Sequence, residues 1–520
     1  MYQKQARQIS FILPFGGKLN PDNRWVQLAD LLPWTEIEEG YAKNFKSRRG
    51  HPAKTARMAL GALIIKEMLG LSDEGTVEVI AETPAMQYLL GFEQFVQEDP
   101  FDPSSMVHFR KRLGTDFIEY INQLVIETGK RKDNSRKAGD DDSDSPPPAL
   151  QSSELPPSTN GNASSQPTLK GKLIVDATCT PADIHYPTDL GLLNEAREKS
   201  EEIIDVLFQY QTEKTQKPRT YRQKARKQYL RFAKKKKLSA KSIRKGCGQQ
   251  LRYLKRTLKH IEKLNETVSL EVLHRRQYKN LLVIHELYRQ QQIMYETKTH
   301  SIPSRIVSIS QPHVRPIVRG KASAQTEFGA KLSASVHEDG YVTLDRLSWE
   351  AYNESGDLKD QREKYRLRTG HYPESVLADK FYRTRDNRQW CKSRGIRLSG
   401  PRLGRPPSSE HIRKEEKLQN RQDERERNAI EGKFGQGKRR FGLSRIMAKL
   451  QETSETVIAI SFLVMNLVKL KELFFLTFFR MREWCVFIKK RILKLIRCVL
   501  CFLKFGTTYQ VGNEISSCNI

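Results

Sequence analysis

The stretch KLIVDATCTPADIHYPTD, residues 172–189, sets the terms on which the chain folds. Leu173, Ile174 and Val175 are consecutive apolar residues, which marks a strand buried on both faces. Pro181 closes the run because it has no N–H to give to a sheet. Asp176 follows the apolar residues directly, and a carboxylate there is costly to bury unless something cationic meets it. A second stretch repeats the arrangement: in YPESVLADKFYRTRDNRQWCKSRGIRLSG, residues 372–400, a short apolar run ends at Asp379 and gives way to a helix and another strand. Between them, KASAQTEFGAKLSASVHEDGYVTLDRLSWEAY, residues 321–352, holds two β-rich runs joined at Glu338-Asp339-Gly340, a hairpin signal. The predicted order is strand, long helical stretch, hairpin, helix, strand, helix, strand, helix. Without the helical stretch this is three antiparallel strands followed by alternating α and β elements, a mixed five-stranded α/β sheet flanked by helices.

The 520 residues carry a net charge of +29 and a pI near 9.7. Such an excess of Lys and Arg calls for a polyanionic partner, and nucleic acid is the first candidate. Cys179, Cys247, Cys391, Cys485, Cys498, Cys501 and Cys518 are scattered, and Cys498-x2-Cys501 has no second pair to complete a zinc site. They read as reduced thiols of a cytoplasmic protein. The opening MYQKQARQISFILPFGG lacks the apolar core and cleavage site of a signal peptide. From Val457 to Phe505 apolar clusters recur, but Lys469, Lys471, Glu472, Arg480, Arg482, Lys489 and Lys490 interrupt them before the roughly 20 apolar residues of a membrane span. A buried helix followed by an apolar and basic tail is expected there, without membrane contact.

Composition divides the chain. Residues 1–129 read as an N-terminal helical domain for DNA binding or dimerisation. In HPAKTARMALGALIIKEMLG, Pro52 marks a helix start, Met58, Leu60, Leu63, Ile64, Met68 and Leu69 make one apolar face, and Gly70 stops it. A further helix follows a cap at Ser104 or Ser105 and directs Arg110, Lys111 and Arg112 outward, which suggests a helix-turn-helix reader of DNA. Residues 130–169, rich in Ser, Pro and Asp, cannot bury enough surface to fold and form a linker. Residues 170–465 form the sheet domain, interrupted at 190–310 by a basic helical insertion, and 466–520 are the tail. No Asp or Glu occurs from Lys214 through Lys259, while Tyr221, Tyr229, Phe232 and Tyr253 are interspersed. A solvated surface normally mixes signs, so Arg222, Lys224, Arg226, Lys227, Lys234, Lys235, Lys236 and Lys237 are candidate phosphate contacts. These contacts position a duplex without reading its sequence.

The carboxylates form a candidate site. If the strands ending at Asp176 and Asp379 are central and parallel, their ends adjoin where open α/β sheets bind ligands. A third carboxylate from a neighbouring helix would complete an oxygen-ligand set for Mg2+. RNAIEGKFGQGKRR, residues 427–440, offers Glu431 as a lone acid among Arg427, Lys433, Lys438, Arg439 and Arg440. An Arg427–Glu431 surface ion pair at i,i+4 is the simpler account of that acid. Asp183, Glu327 and Asp345 compete for the site, since spacing does not exclude them.

At this point the chain resembles the DDE transposases of bacterial insertion sequences. Arg427-x3-Glu431-x6-Lys438 has the spacing of their signature, VDATCTPADI and ADKFY stand in the same order, and residues 25–115 are similar to an InsH-type N-terminal domain. One departure is Glu424, where the family's Tyr is expected three residues before the Arg. The resemblance implies an RNase H-like catalytic core in which Asp176, Asp379 and Glu431 hold two Mg2+ or Mn2+ ions. It also implies phosphate contacts by Lys438 and Arg427, and cleavage and joining of double-stranded DNA at terminal inverted repeats and a target. A dimer in the synaptic complex follows from bringing two ends together. A catalytically silent DNA-binding protein and a nuclease without strand transfer stay open. Shared divalent ions would require the three carboxylates to lie within roughly 4–8 Å of one another.

Overall fold

The computed structural model describes residues 12–13, 17–45, 52–137, 169–211, 216–318, 326–405 and 407–472. Most of the expected linker, Lys214 and the chain beyond Glu472, with its four cysteines, lie outside these residues.

Among the described residues six helices come first: α1 (Arg24–Leu31), α2 (Trp34–Ala42), α3 (Ala56–Leu69), α4 (Asp73–Glu82), α5 (Pro84–Leu90) and α6 (Ser105–Lys137). The α3 helix begins at Ala56 rather than near Pro52, because the Thr55 side chain accepts the Met58 N–H and so caps it. Gly70, at φ +68°, closes it as expected. Its burial is not confined to one stripe: Ala56, Ala59, Leu60, Ala62, Leu63, Ile64 and Ile65 are all fully buried, so α3 runs through the middle of the helical group. The α6 helix is broken at Gly114, whose φ of 64° and ψ of 170° no helix allows.

The sheet contains β1 (Lys172–Pro181), β2 (Arg315–Val318), β3 (Thr326–His337), β4 (Val342–Ser348), β5 (Ser375–Leu377) and β6 (Arg397–Leu398). Long β3 organises it. One edge pairs antiparallel with β1, from Leu173 opposite His337 to Pro181 opposite Gly329. Its other edge is shared, β2 pairing with its first residues and β4 with the rest. On the far side β1 runs parallel to β5, and β5 parallel to β6. The described sheet therefore has six strands, not five, although β2 and β4 follow one another along a single edge. The sequence conceals β2 because Arg-Pro-Ile-Val is short, contains a proline and ends exposed.

Between β1 and β2 the chain makes α7 (Asp189–Gln209), α8 (Arg222–Ala233), α9 (Ala240–Asn265) and α10 (Arg275–Thr297). These helices pack on their own core, with Leu193, Leu207, Leu254, Ile261, Ile284 and Leu287 at its centre. Capping explains the boundaries: Thr188 and Ser239 side chains accept N–H groups of Gly191 and Ser242 at the starts of α7 and α9.

After β4 come α11 (Leu358–Thr369), α12 (Arg385–Ser393), α13 (Glu410–Arg440) and α14 (Gln451–Glu472). By length and composition α14 could cross a membrane, yet most of it is buried inside the protein. Its Ile458, Phe462, Leu463 and Met465 join one hydrophobic core with α1–α6 and one face of the sheet. Asn466 fastens this junction, its Nδ2 donating to Asn122 Oδ1 and the Val342 carbonyl while its Oδ1 accepts the Val342 N–H. The expected start of the tail at 466 thus falls inside α14, where Leu467 and Leu470 remain buried.

Candidate active site

Strand register brings the first two acids together. The last parallel pair between β1 and β5 is Ile174 opposite Leu377. Asp176 and Asp379 each lie two residues further on, so both point to the same side of neighbouring strands. Asp176 is not at a strand end, as its spacing after the apolar run suggested. It is in mid-β1, because pairing with β3 continues to Pro181 after β5 has stopped. It stands at the end of the parallel pairing only. Its Oδ1 accepts the Ala177 N–H at 2.8 Å, and Asp379 Oδ1 accepts the Lys380 N–H at 2.6 Å.

Helix α13 crosses this edge and supplies the third acid. Arg427 Nη2 is 3.0 Å from Glu431 Oε1, and its Nη1 is 3.9 Å from Asp176 Oδ2. The guanidinium therefore bridges two of the carboxylates. Burial pushes the Asp176 carboxyl up to about 6, with Asp379 and Glu354 adding to the rise and the Ala177 N–H and Arg427 opposing it. All three acids line one open cleft of about 620 Å³, together with Arg427 and Lys438. Two further charged residues stand in its wall, unpredicted from the sequence: Lys331 of β3 and Glu354, with Lys331 Nζ 2.6 Å from Glu354 Oε2 and also donating to the Tyr352 carbonyl. Strand alternation was the available signal for Lys331, but Glu354 is in a 3-10 turn that carries no periodic signal. Phe381 also lines the cleft and is 62% exposed, while its neighbour Tyr382 is fully buried.

The competing acids have other partners. Asp183 is bonded to Arg445, and buried Asp345 to Arg368 and Gln361. None of Asp183, Glu327 and Asp345 lines the cleft.

Two families match the chain. The one described as "Transposase DDE domain" covers residues 376–468, which include Asp379, Glu431 and Lys438. The one described as "Transposase domain (DUF772)" covers residues 14–112. A Rhizobium meliloti relative, "Uncharacterized protein ORF8 in nfe locus", is 33% identical over 178 residues, 34% of this chain and 71% of its own length. The chain belongs to the DDE transposases. No solved structure matches it.

Enzymes of this family act on DNA and generally use divalent metal ions. Among the described residues of this transposase, however, no three His, Cys, Asp or Glu side chains are grouped closely enough to hold one. The three predicted carboxylates share one cleft, with Arg427 between Asp176 and Glu431.

The transposase distributes its predicted basic residues unevenly. Lys438 lines the cleft, seven residues and two helical turns from Glu431. Lys433 does not, since two residues along a helix point to the opposite side. It is half-buried, and burial lowers its pKa, with Glu472 as the opposing charge. Arg110, expected to face outward, is 5% exposed and bonded to Asp73. The break at Gly114 shortens the regular part of α6, and that face is covered by α14, whose Thr456 hydroxyl donates to the Arg110 carbonyl. Arg112 is exposed, its guanidinium 5.4 Å from the Phe45 ring centre. In the insertion, Arg222 is tied to Asp205 by hydrogen bonds of 2.7 and 3.0 Å. Lys224, Arg226, Lys227 and Lys234, Lys235, Lys236 and Lys237 are exposed on α8 and the turn after it. Glu424, in the position of the family's Tyr, is also exposed on α13.

Proposed function

We propose that this transposase cleaves and joins DNA strands through an RNase H-like core in which Asp176, Asp379 and Glu431 are the catalytic acids. The observation that carries the reading is their arrival, from β1, the end of β5 and α13, in one cleft with Arg427 and Lys438. The strand order supports it: β3 runs antiparallel to β1, β2 and β4, and β5 and β6 are added in parallel beside β1.

The donor chemistry of the cleft suits Mg2+ or Mn2+, whose ligands are carboxylate oxygens, waters and substrate phosphate. Burial and two neighbouring carboxylates make ionisation of Asp176 costly, a cost that a bound cation would offset. When bound, such ions polarise phosphate and stabilise charge on the attacking and leaving oxygens. Asp176 and Asp379 would hold one side of the metal site and Glu431 the other. Arg427, now spanning Asp176 and Glu431, would exchange a carboxylate for phosphate, for which its planar fork is equally suited. Lys438 would hold a phosphate further along the cleft as a point charge. The exposed cations of α8 and the turn after it would position duplex DNA, and two copies would pair the inverted repeats of an element.

The test is Asp176→Ala, assayed with duplex ends taken from the DNA flanking the gene. Mg2+-dependent cleavage is expected to vanish, while DNA affinity falls by less than about threefold, as for loss of a group that touches no phosphate. Cleavage by the purified variant would overturn the assignment. A second reading, a DNA-binding protein without catalysis, is favoured by the Arg427 bridge between Asp176 and Glu431. Under it the wild-type chain would bind the same ends and cut none of them in Mg2+ or Mn2+.

A further inference from the structure

Asp379 and Arg427 line a second cavity as well, of about 490 Å³, which adjoins the cleft. Its charged wall is mostly arginine: Arg383, Arg421, Arg425 and Arg427, with Asn420 and Asn428 beside them. The acids there do not balance these cations. Asp423 is already engaged by Arg397 at 2.6 and 3.0 Å and Arg427 by Glu431 at 3.0 Å, which leaves Arg383, Arg421 and Arg425 against Asp379 and Glu424.

Arg383 is held in this wall under strain of charge. Its Nε is buried with no hydrogen-bond partner among the described residues. Burial and the neighbouring Arg388 guanidinium lower its pKa, and Asp379 and Glu424 only partly oppose them. Its head lies against the backbone of Gly400, where any Cβ would collide with the guanidinium and where φ is +97°. Glycine is thus required both by the backbone and by the arginine above it. Like charges gathered at a cavity, one of them with an unused donor, are stabilised by an anion, and planar guanidinium groups match phosphate oxygens.

We propose that this cavity seats phosphates of the acceptor DNA strand, next to the bond attacked during strand joining. The assignment rests on the transposase reading above. The cleft holds Glu431 and Lys438, and the arginine cavity adjoins it through Asp379 and Arg427, so two DNA strands can be held in neighbouring pockets that share one acid. In the joining step the 3′-hydroxyl oxygen of the cleaved element bonds to the acceptor phosphorus. The acceptor's own P–O3′ bond breaks, and the proton lost by the attacking hydroxyl is balanced by the one taken up by the departing 3′-oxygen. No oxidant, reductant or other reactant is needed.

The experiment uses the full-length chain, a labelled duplex ending in the DNA that flanks the gene, and a supercoiled plasmid as acceptor. Two variants are compared with wild type: Arg421→Ala/Arg425→Ala, on the exposed face of α13, and Arg383→Ala. Cleavage of the labelled end is expected to stay within about twofold, and joining to the plasmid to fall about tenfold or more, as for removal of charge-assisted hydrogen bonds to phosphate. Equal loss of both steps, or of neither, overturns the proposal. A parallel measurement uses a labelled duplex of unrelated sequence and its affinity over a range of salt. The slope of log K against log salt should become shallower by about 0.9 for each phosphate that the variant no longer neutralises. If wild type cuts nothing, the transposase reading fails; the salt slopes still judge the cavity, and an unchanged slope in both variants overturns it.

Discussion

His337 ends β3 with both ring nitrogens buried and without a hydrogen-bond partner among the described residues. Burial lowers its pKa to about 3, and the charges of Arg368 and Lys130 act in the same direction. The unfolded chain takes up this proton near pH 6.5 and the folded chain does not until about pH 3. Its contribution to stability is therefore complete above pH 6.5 and is lost as the pH falls, by about 2 kcal/mol at pH 5. His313, lowered to about 4, adds to the same loss. Buried Glu67 works in the other direction, since burial raises it to about 7 and acidification relieves the cost of its charge. Denaturant titrations at pH 7 and pH 5 should show His337→Leu losing less stability on acidification than wild type. Equal losses would mean that His337 is hydrated in the folded protein. At the same scale, Arg110 is readable as basic from the sequence, but its partner Asp73 lies 37 positions earlier and its cover in α14 comes from the other end of the chain. Local pattern therefore assigned it to the surface. Asp73→Asn should cost on the order of 3 kcal/mol by leaving Arg110 buried without its carboxylate, with thermal unfolding as the measurement.

Among the elements, β1 and β5 were legible because continuous apolar runs ending in an acid have few other readings. Their parallel pairing then aligned Asp176 with Asp379. β2 was missed because its four residues obtain their pairing from β3 and not from their own propensity. Where β1 and β3 pair at Pro181, Gly329 leaves no room for a side chain: a Cβ there would strike the Thr180 carbonyl and Pro181 backbone. Gly329→Ala should cost on the order of 3 kcal/mol, because backbone cannot yield as a flexible side chain does, and urea unfolding would measure it. The α8 helix and the turn after it carry the exposed cations of the insertion. Replacing Lys234, Lys235, Lys236 and Lys237 by Ala should reduce the salt slope of duplex binding by up to about 3 to 4. An unaltered slope would place this turn away from the DNA path.

Across the whole molecule, α14 links parts that composition alone had separated. It packs against the N-terminal helices and one face of the sheet, with Asn466 bonded to Asn122 of α6 and Val342 of β4. The N-terminal helices thus share a core with the sheet that carries the acids, despite the long polar segment between them in sequence. A chain ended after Lys449 should lose cooperative thermal unfolding, because removing α14 exposes the centre of that core to water. A retained sharp transition would show that the helical group and sheet are stable separately.

By itself the sequence determined the order of the strands other than β2, the basic insertion, and the family signature of Glu431 with Arg427 and Lys438. These are local or periodic features, and each is decided by residues close together in the chain. Tertiary structure decided the rest. It showed that Arg110 is drawn into the interior and Lys433 is half-buried, that Glu354 and Lys331 enter the cleft, and that Arg427 stands between Asp176 and Glu431. It also gathered Arg383, Arg421 and Arg425 beside Asp379. The reason is physical: burial and electrostatic neighbourhood depend on which distant segments pack together, and no run of adjacent residues specifies that packing.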